Sequence, residues 1–188
     1  MSDPTPPFPT LHTPRLLLRE LLPADVPALH AIHADAEAMR WFGTDAPADL
    51  AATAAVITRF ASWRLAANPG VRWGIARRSD GRLIGSCGLF AWNRDWAKCS
   101  TGYELAADAR GQGLMCEALA AAMAWGFEAM ALNRIEAQIH PDNQPSIALV
   151  SGLGFQREGL LREVARWGGQ FHDLAQYALL RRDWRAPA

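Results

Sequence analysis

The stretch RGQGLMCEAL (residues 110–119) decides how this chain is read, because it opens a helix with two glycines. Glycine costs about 1 kcal/mol relative to alanine inside a helix, so Gly111 and Gly113 serve something other than helix stability. One reading is a tight turn from a strand into the helix. The other is close approach of a ligand to the main chain. A helix N-terminus exposes unpaired N–H groups and the positive end of the helix dipole, and phosphates bind there. Gly111 and Gly113 would keep Cβ atoms out of the path of a pyrophosphate, and Arg110 would add a cation beside it. The motif lacks the Lys-Ser/Thr of a P-loop and the third glycine of a dinucleotide fingerprint. Taken alone, the bend leaves both readings open.

Working outward, the helix runs on to about Met130. Met115, Leu119, Met123 and Met130 mark one face, with Leu114, Ala118, Ala121 and Trp125 close to the other. A helix apolar on so much of its circumference is expected to be buried against a sheet. CSTGYELA (residues 99–106) before it and RIEAQIH (residues 134–140) after it have the composition of strands. Strand, helix, strand in that order implies a parallel pair joined by a right-handed crossover. RLLLREL (residues 15–21) predicts a further strand, and residues 23–42 a helix starting near Asp25. A second helix is expected across residues 47–68, ended by Asn-Pro-Gly. VRWGIARR and RLIGSCGLFAW flank Ser-Asp-Gly as an antiparallel hairpin. A short helix follows in PDNQPSIALVSGLGF, and the tail predicts strands around a WGGQ turn. The class is α/β, mixed and α+β-like.

The chain has 188 residues, half of them hydrophobic, which suits one domain over residues 11–185 behind a flexible lead at residues 1–10. Lys plus Arg equals Asp plus Glu, so the formal net charge is zero and no direct nucleic-acid partner is expected. The three cysteines have no CxxC spacing and the five histidines are scattered, which points to a reduced, cytoplasmic chain without a bound metal. MSDPTPPFPT lacks the pattern of a signal peptide. The longest apolar run, residues 118–127, is far short of the roughly 20 residues that span a bilayer.

Four ordered segments carry a family likeness: TPRLLLRELLPAD (residues 13–25), DGRLIGSCGL, TGYELAADARGQGLMCEAL, and NRIEAQIHPDNQPSIALVSGLGFQREGLLRE with the closing GGQFHDLAQYALLRRDW. With these the chain resembles the GNAT superfamily of acyl-CoA-dependent N-acyltransferases, and within it the RimJ/RimL-type group. The resemblance implies a GNAT fold: a mostly antiparallel twisted sheet with one parallel strand-helix-strand crossover and helices on both faces. It implies acetyl-CoA as cosubstrate, its diphosphate on the backbone of Arg110, Gly111, Gln112, Gly113, Leu114 and Met115. The pantetheine arm would lie between the two parallel strands, with Asn143 and Ser146 along it or near its sulfur. The implied acceptor is an amine, most specifically the N-terminal α-amine of a protein such as a ribosomal protein.

Two departures stand out. Asp108 replaces the Arg or Gln that usually leads the glycine motif; its carboxylate would repel phosphates unless turned outward, so the site is expected to rely on main-chain donors and Arg110. Val150 in LVSGLGF replaces a tyrosine that protonates the departing thiolate, which moves that role to Ser146, whose other reading is a helix N-cap. A thioester is already activated, so the protein must orient the amine, polarise the carbonyl and help the thiolate leave. A main-chain N–H from Leu105, Ala106 or Ala107 would face the carbonyl oxygen. Glu104 is the first candidate to take the amine proton, directly or through water, against an outward-facing alternative; Glu163 is the second. A lysine of pKa ~10.4 is neutral about once in 2,500 molecules at pH 7, an α-amine of ~7.8 about once in seven, a gap of roughly 3.5 kcal/mol. A weak base therefore favours an α-amine. Of Trp41, Trp63, Trp92, Trp96 and Trp167, no more than two are expected to touch substrate, and His172 is expected to be structural. The competing functions are acetylation of a small amine and a non-catalytic coenzyme A-binding module. The chain is expected to be a monomer or homodimer with no membrane partner.

Overall fold

Leu16 and Leu18 have no exposed surface and stand two residues apart, so the face of their strand that carries them is fully covered. The computed structural model describes residues 7–186. Its strands are β1 (Leu11–His12), β2 (Leu16–Glu20), β3 (Val71–Arg77), β4 (Leu83–Asn93), β5 (Lys98–Leu105), β6 (Arg134–Ile139), β7 (Gln156–Trp167) and β8 (Gln170–Leu180). They form one sheet in the order β1-β2-β3-β4-β5-β6-β8-β7, antiparallel throughout except for β5 against β6. The helices are α1 (Val26–His33), α2 (Ala36–Met39), α3 (Leu50–Ser62), α4 (Leu114–Ala129) and α5 (Gln144–Gly152). This is the mixed architecture the sequence implied.

Alternation along β4 divides the helices between the two faces. Leu83 packs with Leu21, Leu29, Ile57 and Phe60 beneath α1 and α3. Its neighbour Ile84 joins Leu114, Leu119 and Met123 of α4 on the other side. α4 lies so close that a Cβ on Gly126 would come within 2.5 Å of Leu89 Cδ1, which is why a glycine interrupts its apolar run. The tail hairpin turns through Gly168 (φ 57°) and Gly169 (φ 76°), the two left-handed positions that a two-residue turn of this hand needs. β7 is the strand at one edge of the sheet, and its pairing with β8 is interrupted twice, once on either side of residues 159–161.

Two expectations are corrected. The helix expected over residues 23–42 is broken into a 3-10 turn (Pro23–Asp25), α1 and α2. Asp35 Oδ1 accepts the N–H of Glu37 at 3.0 Å and restarts the helix there. The second helix is shorter than residues 47–68: Asp49 caps α3 by accepting from the N–H of Ala52, and Trp63–Leu65 tightens into a 3-10 turn. Of the lead expected to be flexible, residues 1–6 lie outside the described residues. Phe8 and Pro9 are held down, because the indole N–H of Trp73 donates to Pro9 O at 2.6 Å and Phe8 meets the edge of that ring.

One feature of the sheet prepares a site. β5 and β6 pair only at Lys98–Arg134, Cys99–Ile135 and Ser100–Glu136, and then part. β5 stays with β4 as far as Leu105, and β6 stays with β8 as far as Ile139. Two strand edges therefore face each other without a partner across a wedge.

Candidate acetyl-transfer site

The wedge opens into a cavity of about 910 Å³. Its walls include Thr101 to Leu105 of β5 and Ala137 to Ile139 of β6. One end is bounded by the glycine bend and the start of α4, the other by aromatic side chains from the α1–α3 side, among them Trp41, Phe60 and Trp63.

At the glycine end, Gly111 and Gly113 both have φ of 73°, a left-handed conformation that disfavours any other residue. A Cβ on Gly111 would meet nothing within 4 Å, so the space above it is open. Gly113 is the N-cap of α4 and no side chain caps that terminus. The first intrahelical bond runs from Glu117 N–H to Gly113 O, leaving the N–H groups of Leu114, Met115 and Cys116 without helical acceptors. Asp108 turns away: Arg82 grips it at 2.5 Å and holds its carboxyl below the usual range. The Arg110 guanidinium is engaged with Asp35 Oδ2 at 2.8 Å and Leu105 O at 3.1 Å, so the charge it brings is balanced. Gln112 lies outside the cavity lining; its side-chain amide donates to Asp108 O and its carbonyl accepts from Arg15. Arg15 also donates to Glu117 in the first turn of α4, which ties β2 to the bend. Arg19 plays a separate role, pairing with Asp25 at the start of α1.

The three amides expected to face a carbonyl oxygen are narrowed to one. Ala106 N–H is spent on Ile84 O at 2.8 Å, and Ala107 starts a 3-10 turn outside the lining. Because alternate residues of a strand turn their N–H groups to opposite edges, the amide of Leu105 faces the wedge.

The middle of the cavity holds two polar clusters. Tyr103 Oη and Ser146 Oγ lie 2.5 Å apart, joining β5 to α5 across the wedge. Burial pushes the Tyr103 phenol up to about 12, although its bond to Ser146 acts in the other direction. Asn143, not Ser146, is the N-cap of α5: its Oδ1 accepts the N–H of Ser146 at 3.2 Å. Val150 is fully buried in the core. Glu104 is not outward-facing. Arg72 and Ser86 both donate to its carboxylate, and Arg72 also donates to Ser86 Oγ at 2.7 Å and Gly102 O at 2.9 Å. Burial is the largest influence on Glu104 and would raise it, but the charge of Arg72, with His33 and Ser86, outweighs burial and leaves the carboxyl below its ordinary value.

Glu163 is not brought to this site. It sits exposed on β7 at a left-handed φ of 50°, in the irregular stretch between Leu161 and Ala165, and its N–H donates to Asp173. Of the five tryptophans considered, Trp41 and Trp63 line the cavity. His172 is stacked on Trp167 at 3.7 Å, a packing role. Sequence reasoning missed Tyr103, Arg72, Ser86 and His33. Strand alternation pairs Tyr103 with Leu105 on one face of β5, and nothing local marks the other three. Among the described residues no group of three or more His, Cys, Asp or Glu could hold a metal ion, and no helix is long and apolar enough to cross a membrane.

An uncapped helix start, a bend with no side chain in the way and a sheet split at its one parallel joint fit an elongated ligand with an anionic end. That combination suits a transferase whose cosubstrate carries a phosphorylated end and a long arm. The chain belongs to the GNAT acetyltransferase family: residues 15–156 match the acetyltransferase (GNAT) domain. It is 32% identical over 174 residues to the uncharacterized N-acetyltransferase YoaA of Bacillus subtilis (strain 168), covering 93% of this chain and 98% of that one. It is 36% identical over 86 residues to the [ribosomal protein uS5]-alanine N-acetyltransferase of Escherichia coli (strain K12), which is 46% of this chain and 44% of the relative. Mycobacterium smegmatis RimJ in complex with CoA-disulfide shares the fold at a TM-score of 0.80 and 23% identity, covering 93% of this chain and 87% of that one. The protein is thus an acetyl-transferring enzyme that uses acetyl-CoA.

Proposed function

We propose that the acceptor is the α-amine of a polypeptide N-terminus and that the reaction is direct attack in a ternary complex. The observation that carries this is the state of Glu104. A carboxylate held anionic by Arg72 and Ser86 is a poor base, and a poor base suits an amine that loses its proton easily. The aromatic end of the cavity, with Trp41, Phe60 and Trp63, offers walls for a peptide. The partial similarity to an alanine N-acetyltransferase of a ribosomal protein points the same way.

In this reading the free amides of Gly111 to Met115 hold the diphosphate, with the NH2 group of Asn143 and the open edges of β5 and β6 along the pantetheine arm. The cosubstrate supplies an activated acetyl group. The N–H of Leu105 polarises its carbonyl, and Glu104 takes the first proton from the amine. Tyr103 replaces the tyrosine that Val150 lacks: from the opposite strand it supports Ser146 as the proton donor to the thiolate. We further place the enzyme in the cytoplasm, where acetyl-CoA and nascent polypeptides meet.

The test measures thiol release from acetyl-CoA with a panel of three acceptor types: peptides with free N-termini, the same peptides N-terminally blocked but carrying lysine, and polyamines. Turnover is expected with the first group at least tenfold above the others, given the roughly 2.6-unit difference in amine basicity. Equal or better turnover of lysine or polyamine would reject the assignment.

A further inference from the structure

His33, at the end of α1, is a buried titratable group that this scheme leaves unused. Its side chain is 1% exposed, and neither ring nitrogen has a hydrogen-bond partner among the described residues. Buried polar atoms are nearly always paired, so two unpaired nitrogens on one ring need a reason. The ring packs on Phe42 with centroids 5.3 Å apart, and its Nε2 lies 3.6 Å from Glu104 Oε1, too long for a full hydrogen bond but close enough to help hold that carboxyl down. Glu104 lines the cavity and His33 does not. The order from solvent inward is therefore cavity, carboxylate, imidazole.

We propose that His33 stores, by way of Glu104, the proton that the acceptor ammonium gives up before attack. The amine N–H bond breaks as a Glu104 O–H bond forms; that O–H then breaks as the proton bonds to His33 Nε2. Glu104 ends anionic, as it began, and one positive charge has moved from substrate to imidazole. The second amine proton, lost after attack, replaces the one that Ser146 gives to the departing thiolate, and His33 returns its proton to solvent when the product leaves. An imidazole suits this because its ordinary titration lies closer to that of an α-amine than a carboxylate's does. His33 touches no substrate. It acts as a positioning residue through Glu104.

The charged and titratable groups of the cluster it joins come from three neighbouring strands. Glu104 is on β5 and Arg72, which anchors Glu104, on β3; Cys87 is on β4, its thiol pushed up to about 12 by burial and so neutral. Arg72 pairs with Oε2 of Glu104 while His33 faces Oε1, so a charge gained by the imidazole has the other carboxylate oxygen beside it.

The inference rests on Glu104 as first proton acceptor, and it holds for any amine the enzyme uses. The experiment compares wild type with His33→Asn and His33→Gln on two nucleophiles: the amine that wild type turns over best, and O-methylhydroxylamine, which is already neutral at pH 7. With the amine, kcat should fall about 10²-fold, the usual scale for proton-transfer help. With O-methylhydroxylamine it should stay within about threefold of wild type, and coenzyme A affinity by calorimetry should not change. Equal losses on both nucleophiles would make His33 purely structural, and no loss on the amine would make it a bystander; either overturns the proposal. Should both variants unfold, 15N NMR of histidine-labelled wild type decides: the His33 ring must change protonation state between the free enzyme and the enzyme holding its amine, and a ring fixed in one state refutes the relay. If wild type turns over small amines but no peptide, the acceptor assignment fails while this comparison still runs.

Discussion

Replacing Gly111 separates two demands placed on one residue, backbone conformation and open space. At φ 73° any side chain pays the left-handed penalty of about 1–2 kcal/mol. A Cβ there meets no atom within 4 Å, so no clash adds to that figure. Gly111→Ala and Gly111→Trp should therefore lose similar stability. For a chain of this length each kcal/mol is worth about 2–4 °C, so the melting temperature should drop by roughly 2–8 °C in both. Coenzyme A binding should divide them. The alanine methyl points into open space and should weaken binding less than about tenfold. The indole would stand where the diphosphate meets the bend and should cost at least two charge-assisted bonds, about 1.5–3 kcal/mol each. That sums to about 3–6 kcal/mol, two to four decades in Kd. Calorimetric titration with coenzyme A, paired with thermal unfolding, measures both quantities. A folded Gly111→Trp enzyme binding within threefold of wild type would refute the diphosphate assignment. An alanine variant as damaged as the tryptophan one would show that conformation, not access, sets affinity.

Tyr103→Phe and Ser146→Ala should each slow kcat by about tenfold or more with little change in coenzyme A affinity. Because the two oxygens share one 2.5 Å contact, the double variant should be no slower than the worse single one; fully additive losses in a steady-state cycle would show that they act independently. Glu104→Gln should destabilise the fold at neutral pH, and the difference from wild type should shrink in acid. The folded carboxyl titrates below its unfolded value, so its contribution is complete above about pH 4.5 and is lost as pH falls through the folded value. Urea midpoints of both proteins from about pH 7 down to 3 measure this, and a constant difference would contradict it.

The parts of the site visible in the sequence are those whose signal is local. Two glycines before an apolar helix announce a left-handed bend, and strand, helix, strand in order announces the parallel joint that later splits. A carboxylate at Asp108 would repel a phosphate unless it turned outward, and Arg82 holds it outward. The polar cluster beneath the acceptor end is different in kind. Arg72, Ser86 and Glu104 come from three successive strands, and His33 arrives from a helix far earlier in the chain. Their meeting depends on sheet register and on the packing of α1, neither of which leaves a short-range pattern. Glu163 misled for the same reason. Its strand was foreseen, but the irregularity that gives it a positive φ and keeps it at the surface was not.

The edge strand β7 also bears on how the molecule behaves in a crowded solution. A β-strand with one free edge invites copies of the same chain to add on, and twelve residues would make a generous template. Here the ladder is chopped into runs of two or three residues, with Arg157, Glu158, Arg162, Glu163 and Arg166 crowding the breaks. An incoming strand would lose alignment within a few rungs and meet charge at each one. Straightening β7 by deleting the extra residues would lengthen the template, and fibre growth is the hazard it would introduce.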